Sequence, residues 1–300
     1  MKNKFQFFSF ILITVSLISC KSKKIAVVAK DAELVQVSNE YSFTEGPASD
    51  KNGNVYFTDQ PNDKILKWTA TDNSLSVFKE PAGRANGLYF DHSGHLLAAA
   101  DANNELWRID ESGNVDTLIT DFKGKKLNGP NDIWVDSKGG IYFTDPYYQR
   151  PYWQRTKAEI EEMNVYYISP SLKNITTVAS EFIRPNGIIG TPDGKTLYIA
   201  DIGDQKTYSY SIQKDGSLTE RKLFTDLGSD GMTIDHKGNI YLTGEGVTIF
   251  NSKGKKIHHI PIDEEWTANV TFGGKNQDIL FITANGSIYT LNMNVHGVRY

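Results

Sequence analysis

One pattern recurs six times along the chain and constrains the fold more than any other feature. The common form of the copies is a polar residue and usually a glycine, an alternating apolar stretch, an Asp/Asn-x-x-Gly turn, and a second apolar strand that tends to end in Asp. Two strands joined by a tight hairpin account for this pattern. The copies are TEGPASDKNGNVYFTD from Thr44, ANGLYFDHSGHLLAAAD from Ala85, PNDIWVDSKGGIYFTD from Pro130, PNGIIGTPDGKTLYIAD from Pro185, SDGMTIDHKGNIYLTG from Ser229 and ANVTFGGKNQDILFIT from Ala268.

The spacing of the copies predicts a β-propeller. The turn glycines Gly53, Gly94, Gly139, Gly194 and Gly238 are separated by 41, 45, 55 and 44 residues, close to the roughly 40 to 45 residues of a four-stranded propeller blade. Further strand pairs fit between the copies, so each unit holds four strands. A sandwich or barrel does not need one hairpin at a fixed long period, whereas radial repetition does. We therefore predict an all-β fold, a six-bladed β-propeller with four-stranded blades.

The longest interval between turn glycines contains an insertion. Residues 146–163 carry several aromatic and arginine side chains, followed by a short helical pattern from Ala158 to Met163. This length exceeds that of a hairpin loop. We expect the segment to lie over one face of the propeller.

Composition agrees with a β fold and excludes one class of partner. The chain has 15 Tyr, 15 Phe, 5 Trp and 25 Gly but only 4 Met, a mixture that suits pleated strands and tight turns. It has 36 acidic and 32 basic residues, for a formal charge of −4. Because the body of the chain has no basic block, it offers no electrostatic footprint for nucleic acid. We expect no nucleic-acid partner.

The first residues resemble a bacterial export signal. Lys2 and Lys4 precede an apolar run from Phe5 to Ile18, and the run ends in the sequence LISC at Cys20. A charged start followed by a short apolar stretch is typical of a signal peptide, and the ending is similar to a lipobox. We predict a lipoprotein signal peptide over residues 1–19, lipidation of Cys20, a tether over 20–29 and a propeller domain over 30–300.

This interpretation explains why the chain has a single cysteine. A lipidated Cys20 needs no disulfide partner and no metal. Cleavage removes two lysines and leaves a formal charge of −6. The mature protein is expected in the bacterial cell envelope, anchored by its lipid to the outer membrane or the periplasmic face. Simple secretion is the alternative.

One polar residue stands just before or at the start of the first strand of every copy. In a propeller, equivalent positions are related by rotation about the central axis, so these side chains should converge there. Ca²⁺ takes about six to eight oxygen ligands, and two carboxylates match its charge, whereas zinc sites use Cys and His. The sequence therefore predicts one Ca²⁺ on the axis. The six residues are Glu45, Asn86, Asn131, Asn186, Asp230 and Asn269.

The histidines do not belong to this set. They fall in hairpin turns, in one solvated run and in the C-terminal tail, and we interpret them as surface residues. They are His92, His95, His236, His258, His259 and His296.

The repeated motifs resemble those of the SMP-30/gluconolactonase/luciferin-regenerating family. The resemblance covers residues 45–283, and its most specific part is the NGPND…FTDP segment that starts at Asn128. It implies a six-bladed propeller whose axial Ca²⁺ is held by one Glu, two Asn and one Asp. These fall on Glu45, Asn131, Asn186 and Asp230. Asn86 and Asn269 would then hold water or substrate around the ion.

The chain departs from the family at one position. The animal members carry an arginine for sugar contact two residues before the Asn131 position, and here that residue is Gly129. Polyol specificity of the animal type is therefore not implied.

The resemblance implies lactone hydrolysis, and some related propellers hydrolyse organophosphorus esters. A Ca²⁺ with an open position polarises a carbonyl or phosphoryl oxygen. We expect Asp230 to be the catalytic residue, as the base that accepts a proton from the attacking water, or alternatively as a nucleophile on phosphorus. Asn86, Asn128, Asn131 and Tyr147 are predicted to bind substrate.

Four aspartates close the second strand of their repeats. We interpret these residues as turn residues or as residues that form hydrogen bonds from blade to blade, although Asp145, with Tyr148, also stands where it could line the mouth of the pocket. They are Asp59, Asp101, Asp145 and Asp201.

These features predict a calcium-dependent hydrolase of sugar lactones, similar to a gluconolactonase, that acts as a monomer on a small-molecule lactone and touches the membrane only through its lipid anchor. Two alternatives stay open. One is a phosphotriesterase-like hydrolase. The other is a non-catalytic propeller that binds a sugar or peptide around a structural calcium, since a fold alone does not fix a function.

Overall fold

The computed structural model describes residues 26–298. The predicted signal peptide and Cys20 lie outside these residues. In the described part of the chain, 24 strands form six antiparallel sheets of four strands each. The predicted six-bladed propeller is therefore confirmed.

Five blades are formed by consecutive strands. Blade 1 holds β2 (Thr44–Ser49), β3 (Val55–Asp59), β4 (Lys64–Thr69) and β5 (Ser74–Lys79); blade 2 holds β6 (Ala85–Phe90), β7 (Leu96–Ala100), β8 (Glu105–Ile109) and β9 (Val115–Ile119); blade 3 holds β10 (Ile133–Val135), β11 (Ile141–Asp145), β12 (Met163–Ile168) and β13 (Ile175–Phe182); blade 4 holds β14 (Pro185–Gly190), β15 (Thr196–Asp201), β16 (Lys206–Ile212) and β17 (Leu218–Thr225); blade 5 holds β18 (Met232–Ile234), β19 (Ile240–Gly244), β20 (Gly246–Phe250) and β21 (Lys256–Ile260). A short 3₁₀ helix, Gln60–Asn62, lies between β3 and β4.

The sixth blade closes the ring with a strand from the start of the described chain. It combines β22 (Thr267–Gly273), β23 (Ile279–Ala284) and β24 (Ser287–Asn292) with β1 (Val35–Ser38). β1 pairs antiparallel with β24, with Val35 opposite Thr290. The first strands of successive blades contact one another all the way round, including β22 with β2. These six inner strands surround the central axis.

The Asp-x-x-Gly motif folds as predicted because the aspartate side chain replaces missing backbone partners in the turn. In blade 1, Asp50 Oδ1 accepts hydrogen bonds from the backbone N–H groups of Asn52 at 2.8 Å and Asn54 at 2.9 Å. Asp136 makes the same pair of contacts in blade 3. The motif glycine has a positive φ, for example 88° at Gly139, a conformation that costs glycine little.

The hydrophobic core lies between blades rather than in one central mass. Trp134 of blade 3 is fully buried and lies against Gly190 of blade 4, where an added Cβ would come within 2.1 Å of the indole ring. Blades 3 and 4 thus interlock through a large aromatic side chain that meets a glycine. This packing fixes blade 3 relative to blade 4.

The insertion lies over one face, as expected, but its predicted helix is wrong. Residues 159–162 form bends and Met163 begins β12. Tertiary contacts prevail over the local helical pattern: Ile160 is buried in the core between blades 2 and 3, and Glu159 accepts a hydrogen bond from Lys126 N at 2.9 Å.

The last residues of the predicted tether pack on the propeller. Val27 is buried in the core cluster of blades 5 and 6, and Val28 forms an isolated β-bridge with Met293. Ala29 N donates to the carbonyl oxygen of Asn292 at 3.1 Å. The propeller therefore extends to residue 27. In the described residues, no helix has the length and apolar character needed to cross a bilayer.

The contacts of Val27 generate a stability prediction. Val27→Ala removes two buried methyl groups and should lower the free energy of unfolding by about 1.5 to 2.5 kcal/mol. Val35→Ala is the matched control because Val35 is 53% exposed, and it should change stability by no more than about 0.5 kcal/mol. Urea denaturation measures both. Equal effects of the two substitutions would mean that residues 27–29 do not pack on the blades.

Candidate active site

The six predicted axial residues lie together at one end of the inner strands. Glu45, Asn86, Asn131, Asn186 and Asn269 are buried, and Asp230 keeps partial exposure. In blades 1, 2, 4 and 6 the register between the first two strands shifts at or beside this residue. Such bulges bend a strand and redirect a side chain. Here they accompany the turn of the polar side chains toward the axis.

Glycines bring the inner strands unusually close. A glycine follows the axial residue in four blades, as Gly46, Gly87, Gly187 and Gly231. A Cβ on Gly46 would come within 2.1 Å of the carbonyl oxygen of Asn86, and one on Gly87 within 2.3 Å of the carbonyl oxygen of Asn131. A side chain at these positions would force the inner strands apart.

Blade 3 carries an aspartate where four blades have this glycine. Asp132 is buried, and its Oδ1 accepts a hydrogen bond from Asn269 Nδ2 at 3.1 Å. The same nitrogen lies 3.2 Å from Glu45 Oε2. Asn269 therefore links two carboxylates across the axis. Asp132 is absent from the predicted site, although aligning the residue after each axial position would have shown it.

Asp230 is held by two side chains from neighbouring elements. Asn186 Nδ2 donates to Asp230 Oδ1 at 2.6 Å, and Trp266 Nε1 donates to Asp230 Oδ2 at 2.6 Å. Tyr148 lies next to this pair, because its hydroxyl oxygen accepts a hydrogen bond from Asn186 Nδ2 at 3.1 Å. Trp266 falls outside the repeated motif, so the sequence pattern did not indicate it.

Three carboxylates face one another at the axis without a cationic side chain between them. Within residues 26–298, neither Glu45, Asp132 nor Asp230 forms an ion pair with Lys, Arg or His. Burial, followed by the charges of Asp230 and Asp132, raises the pKa of Glu45 well above its usual range. Burial and the charge of Asp230 raise the pKa of Asp132 in the same way.

Burial also raises the pKa of Asp230, to about 6. The hydrogen bonds from Trp266 and Asn186 and the positive charge of Arg150 have the opposite effect and lower this pKa. Desolvation and like charge both disfavour ionised carboxyl groups. The shifts at all three acids have the direction expected of a site built for a positive ion.

The donor set fits a hard divalent cation. The side-chain oxygens of Asn86 and Asn186 are buried and lack a hydrogen-bond partner among the described residues, which is uncommon for buried polar atoms. No three His, Cys, Asp or Glu residues between 26 and 298 form a metal site by themselves. Amide oxygens would therefore have to complete the coordination, and mixed carboxylate and amide oxygens are ligands that Ca²⁺ prefers.

Two predicted substrate residues lie elsewhere than expected. Asn128 has no exposed surface, and its Nδ2 donates to the carbonyl oxygen of Glu162 in the insertion at 3.1 Å. Tyr147 turns away from the axis: its hydroxyl bonds Gln149 and its ring lies 5.7 Å from that of Trp153. Both residues hold the insertion in place. The neighbouring Tyr148 approaches the axial residues instead, because the loop after β11 turns there.

The other predicted substrate residues, Asn86 and Asn131, lie at the axis. Asn131 holds the neighbouring blade through its backbone, since its carbonyl oxygen accepts from Gly87 N at 2.8 Å. Its side chain makes no hydrogen bond within the described residues. It is therefore free to act as a ligand.

The strand-closing aspartates have the structural role that we predicted. In blades 1, 3 and 4 the carboxylate accepts hydrogen bonds from two successive backbone N–H groups in the segment that leads into the same blade. The pairs are Ser42 and Phe43 for Asp59, Asn128 and Gly129 for Asp145, and Ile183 and Arg184 for Asp201. Burial raises the pKa of Asp145 to about 7. Asp101 of blade 2 differs, because its carboxylate contacts the insertion.

The histidines lie outside the site, as predicted. His95 is half-buried and the other five are exposed. His236 and His296 stack on each other, with ring centroids 3.7 Å apart, where the C-terminal tail meets blade 5.

A cavity of about 660 Å³ occupies the side of the axis opposite the insertion. Its walls include Tyr56, Phe90, Ile188 and Met232, and the axial residues that reach it are Asp132 and Asn269. Asp230 does not line this cavity. The partial exposure of Asp230 is therefore toward the face covered by the insertion.

The chain is similar in sequence and fold to known lactone hydrolases. The chain is 28% identical to a gluconolactonase of Zymomonas mobilis over 305 aligned positions, which cover 91% of this chain and 84% of that protein. It is 26% identical to the lactonase drp35 of Staphylococcus saprophyticus, covering 75% and 72%. A solved gluconolactonase structure from Xanthomonas campestris superposes with a TM-score of 0.83 at 28% identity, covering 89% of this chain and 91% of that one.

The match to a family profile covers most of the chain. Residues 43–286 match the SMP-30/Gluconolactonase/LRE-like region. This range contains all six axial residues and the insertion. The chain therefore belongs to the SMP-30/gluconolactonase/LRE-like family, as the resemblance of its repeats implied.

Proposed function

We propose that the protein is a calcium-dependent hydrolase of sugar lactones. The observation that carries this proposal is the axial set itself: carboxylates and partnerless amide oxygens converge beside an aspartate that is exposed toward one face. The gluconolactonase and lactonase relatives support a lactone substrate.

Glu45, Asn131, Asn186 and Asp230 are the residues proposed to hold the calcium ion. They supply two negative charges and two neutral amide oxygens, which together balance a 2+ ion. When bound, such an ion would supply Lewis-acid stabilisation of the negative charge that develops on the carbonyl oxygen of the lactone. Asp132 adds a third negative charge behind this set, which would strengthen the attraction for a cation.

Asp230 is proposed as the general base. Its two oxygens are oriented by Asn186 and Trp266, so its position is fixed before substrate binds. The hydrogen bonds from Trp266 and Asn186 lower the pKa of Asp230 and so favour the ionised carboxylate, which is the form that can accept a proton from water. A calcium ion at the site would favour the same ionised form and would acidify a water bound to it.

The insertion is proposed to enclose the substrate on the side of Asp230. Tyr148 accepts a hydrogen bond from Asn186 and Trp266 donates one to Asp230, so both aromatic side chains lie beside the axial residues. A sugar lactone presents both an apolar ring face and hydroxyl groups, which we propose these aromatic rings and the neighbouring amides accommodate. Asn86, whose side-chain oxygen lacks a partner, is the amide proposed to bind a substrate hydroxyl.

We also propose that the mature protein is anchored to the cell envelope through a lipid on Cys20. The proposal is supported by the charged start, the apolar run and the LISC sequence. Because the propeller begins at residue 27, about six residues would separate the lipid from the folded domain.

Calcium should stabilise the protein and be needed for activity. A ligand that binds only the folded state at about 100 times its dissociation constant adds about 2.7 kcal/mol. Chelation should therefore lower the melting temperature and abolish lactone hydrolysis, and added calcium should restore both. Elemental analysis should find one calcium per chain. Stoichiometric zinc without calcium would contradict the proposed site.

Asp230→Asn should separate catalysis from metal binding. This variant keeps the shape and one oxygen ligand but loses the base, so kcat should fall by about 10² to 10⁴-fold at saturating calcium. Asn131→Ala is the control, since Asn131 makes no side-chain contact with Asp230; its loss of activity should be largely recovered by added calcium. Steady-state kinetics over a calcium series measures both. If calcium-saturated Asp230→Asn stays within about threefold of the wild type, far less than a lost base costs, the base is another residue.

A substrate panel decides between the lactonase and the two alternative functions. The calcium-loaded protein should hydrolyse lactones faster than phosphotriesters. The reverse order would favour the phosphotriesterase-like reaction, and no turnover of either class would favour a binding propeller with a structural calcium.

Lipidation is tested by metabolic labelling with a fatty acid that carries a detectable tag. The wild-type protein should be labelled and should fractionate with membranes, whereas Cys20→Ala should be unlabelled. An unlabelled wild-type protein that retains Met1 would exclude the proposed processing.

A further inference from the structure

Four arginines lie in or beside the insertion, and each stacks on one of its aromatic rings. The guanidinium carbon of Arg84 lies 4.4 Å from the centre of the Tyr152 ring, that of Arg155 lies 4.3 Å from Trp153, and those of Arg150 and Arg184 lie 5.4 and 4.9 Å from Tyr148. We call these four residues the arginine crown.

The crown is a local positive patch on an acidic protein. Arg84 and Arg155 donate to backbone carbonyl oxygens. Among the described residues, Arg150 is the one member of the crown with a carboxylate within 4 Å. The chain as a whole has a formal charge of −4. A concentration of one sign of charge at a substrate-binding face attracts ligands of the opposite sign.

Two members of the crown lie one side chain away from the axial residues. Arg150 and Arg184 both contact the ring of Tyr148, and the Tyr148 hydroxyl lies 3.1 Å from Asn186 Nδ2. That nitrogen in turn donates to Asp230. A group bound by these two guanidinium groups would therefore belong to a molecule that also reaches Asp230.

Arg150 is held in place by Asp101, whose hydrogen-bond partners differ from those of the equivalent aspartates in other blades. The equivalent aspartates Asp59, Asp145 and Asp201 bind backbone N–H groups, whereas Asp101 Oδ2 accepts from Arg150 Nε at 2.9 Å and from Tyr152 OH at 2.5 Å. Trp153 Nε1 donates to the Asp101 carbonyl oxygen at 2.9 Å. Asp101 is nearly fully buried and Arg150 keeps 23% of its side chain exposed.

This contact uses only one of the donor positions of Arg150. Within residues 26–298, its Nη1 and Nη2 make no hydrogen bond, and the side chain of Arg184 makes none at all. A guanidinium group whose orientation is already fixed loses little entropy when it binds a carboxylate or phosphate with its remaining donors.

We propose that Arg150 and Arg184 form a subsite for an oxyanion group, and that the preferred substrate is a sugar lactone carrying a carboxylate or phosphate in addition to its lactone ester. The inference rests on the proposed lactonase function and narrows its substrate class. The anionic group is bound and not altered in the reaction.

The test compares three lactones at saturating calcium. Glucono-1,5-lactone is neutral, its 6-phosphate carries a phosphate, and glucaro-1,4-lactone carries a carboxylate. The wild-type protein should prefer at least one anionic lactone over the neutral one by about tenfold or more in kcat/KM, the size expected of one hydrogen bond to a charged group. The lactone with the larger kcat/KM identifies phosphate or carboxylate as the group that the subsite binds. The preference should shrink as ionic strength rises.

Arg184→Gln is the principal variant, because Arg184 is exposed and has no carboxylate partner to leave unpaired. It should reduce the ratio of anionic to neutral kcat/KM to about threefold or less, which is the loss of one charged contact. Arg150→Gln should do the same. Arg221→Gln is the matched control, since Arg221 also stacks on a tyrosine, Tyr208, at 4.0 Å but lies on an outer strand of blade 4; it should keep the wild-type ratio.

A wild-type preference below twofold for both anionic lactones would overturn the inference, as would a ratio unchanged by Arg184→Gln. If no lactone is hydrolysed, the proposed function fails, and the subsite is then decided by calorimetry with the neutral polyol glucitol, with gluconate and with glucitol 6-phosphate. Binding of at least one anion about tenfold or more tighter than that of glucitol, with this preference abolished by Arg184→Gln, would support the subsite. Equal binding of all three compounds, or a preference unchanged by Arg184→Gln, would overturn it.

Discussion

The electrostatic repulsion among Glu45, Asp132 and Asp230 is the main constraint on the structure at the propeller axis. Three carboxylates close to one another, two of them buried and one partly exposed, would normally move apart or stay protonated, and the pKa of each is raised. The closed ring prevents them from separating, because each is attached to an inner strand that is locked between two others. The glycines after the axial residues bring those strands close enough for the charges to interact. A bound cation would attract all three carboxylates, so the same geometry would then be electrostatically favourable.

Much of the fold follows from one local rule, which four of the six copies show as Asp-x-x-Gly. This turn is satisfied within five residues, so its recurrence predicted the hairpin between the first two strands of those blades. The axial positions also followed from the repeat, because rotation about the axis relates equivalent residues without any knowledge of side-chain contacts. The family profile confirmed the resemblance that these motifs carry. The strand-closing aspartates behaved as structural residues for the same reason, since their partners lie in the segment leading into the same blade.

What the repeat did not predict depends on contacts between distant segments. Trp266 reaches Asp230 from outside the repeated hairpin, and Val27 enters the core only because the ring closes near it. The helical pattern at residues 158–163 failed because Ile160 is drawn into the core between two blades. Adjacent residues of the same type also differ in role: Tyr148 reaches Asn186 while Tyr147 contacts Gln149, and only the path of the loop decides between them.

The repeated blades and the insertion therefore have different roles. The axial residues occupy equivalent positions in every blade, so their chemistry is set by the symmetry of the propeller and is expected in any member that keeps it. The insertion breaks the symmetry, and it does so by changing the partner of one symmetric residue: Asp101 gives up the backbone N–H groups that Asp59 and Asp201 bind and takes Arg150 and Tyr152 instead. Asp101, a residue of the repeat, thereby holds the insertion, whose conformation the repeat does not determine. Differences in substrate among proteins with the same axial set should accordingly arise in the insertion and in the residue that anchors it, while the ring stays unchanged.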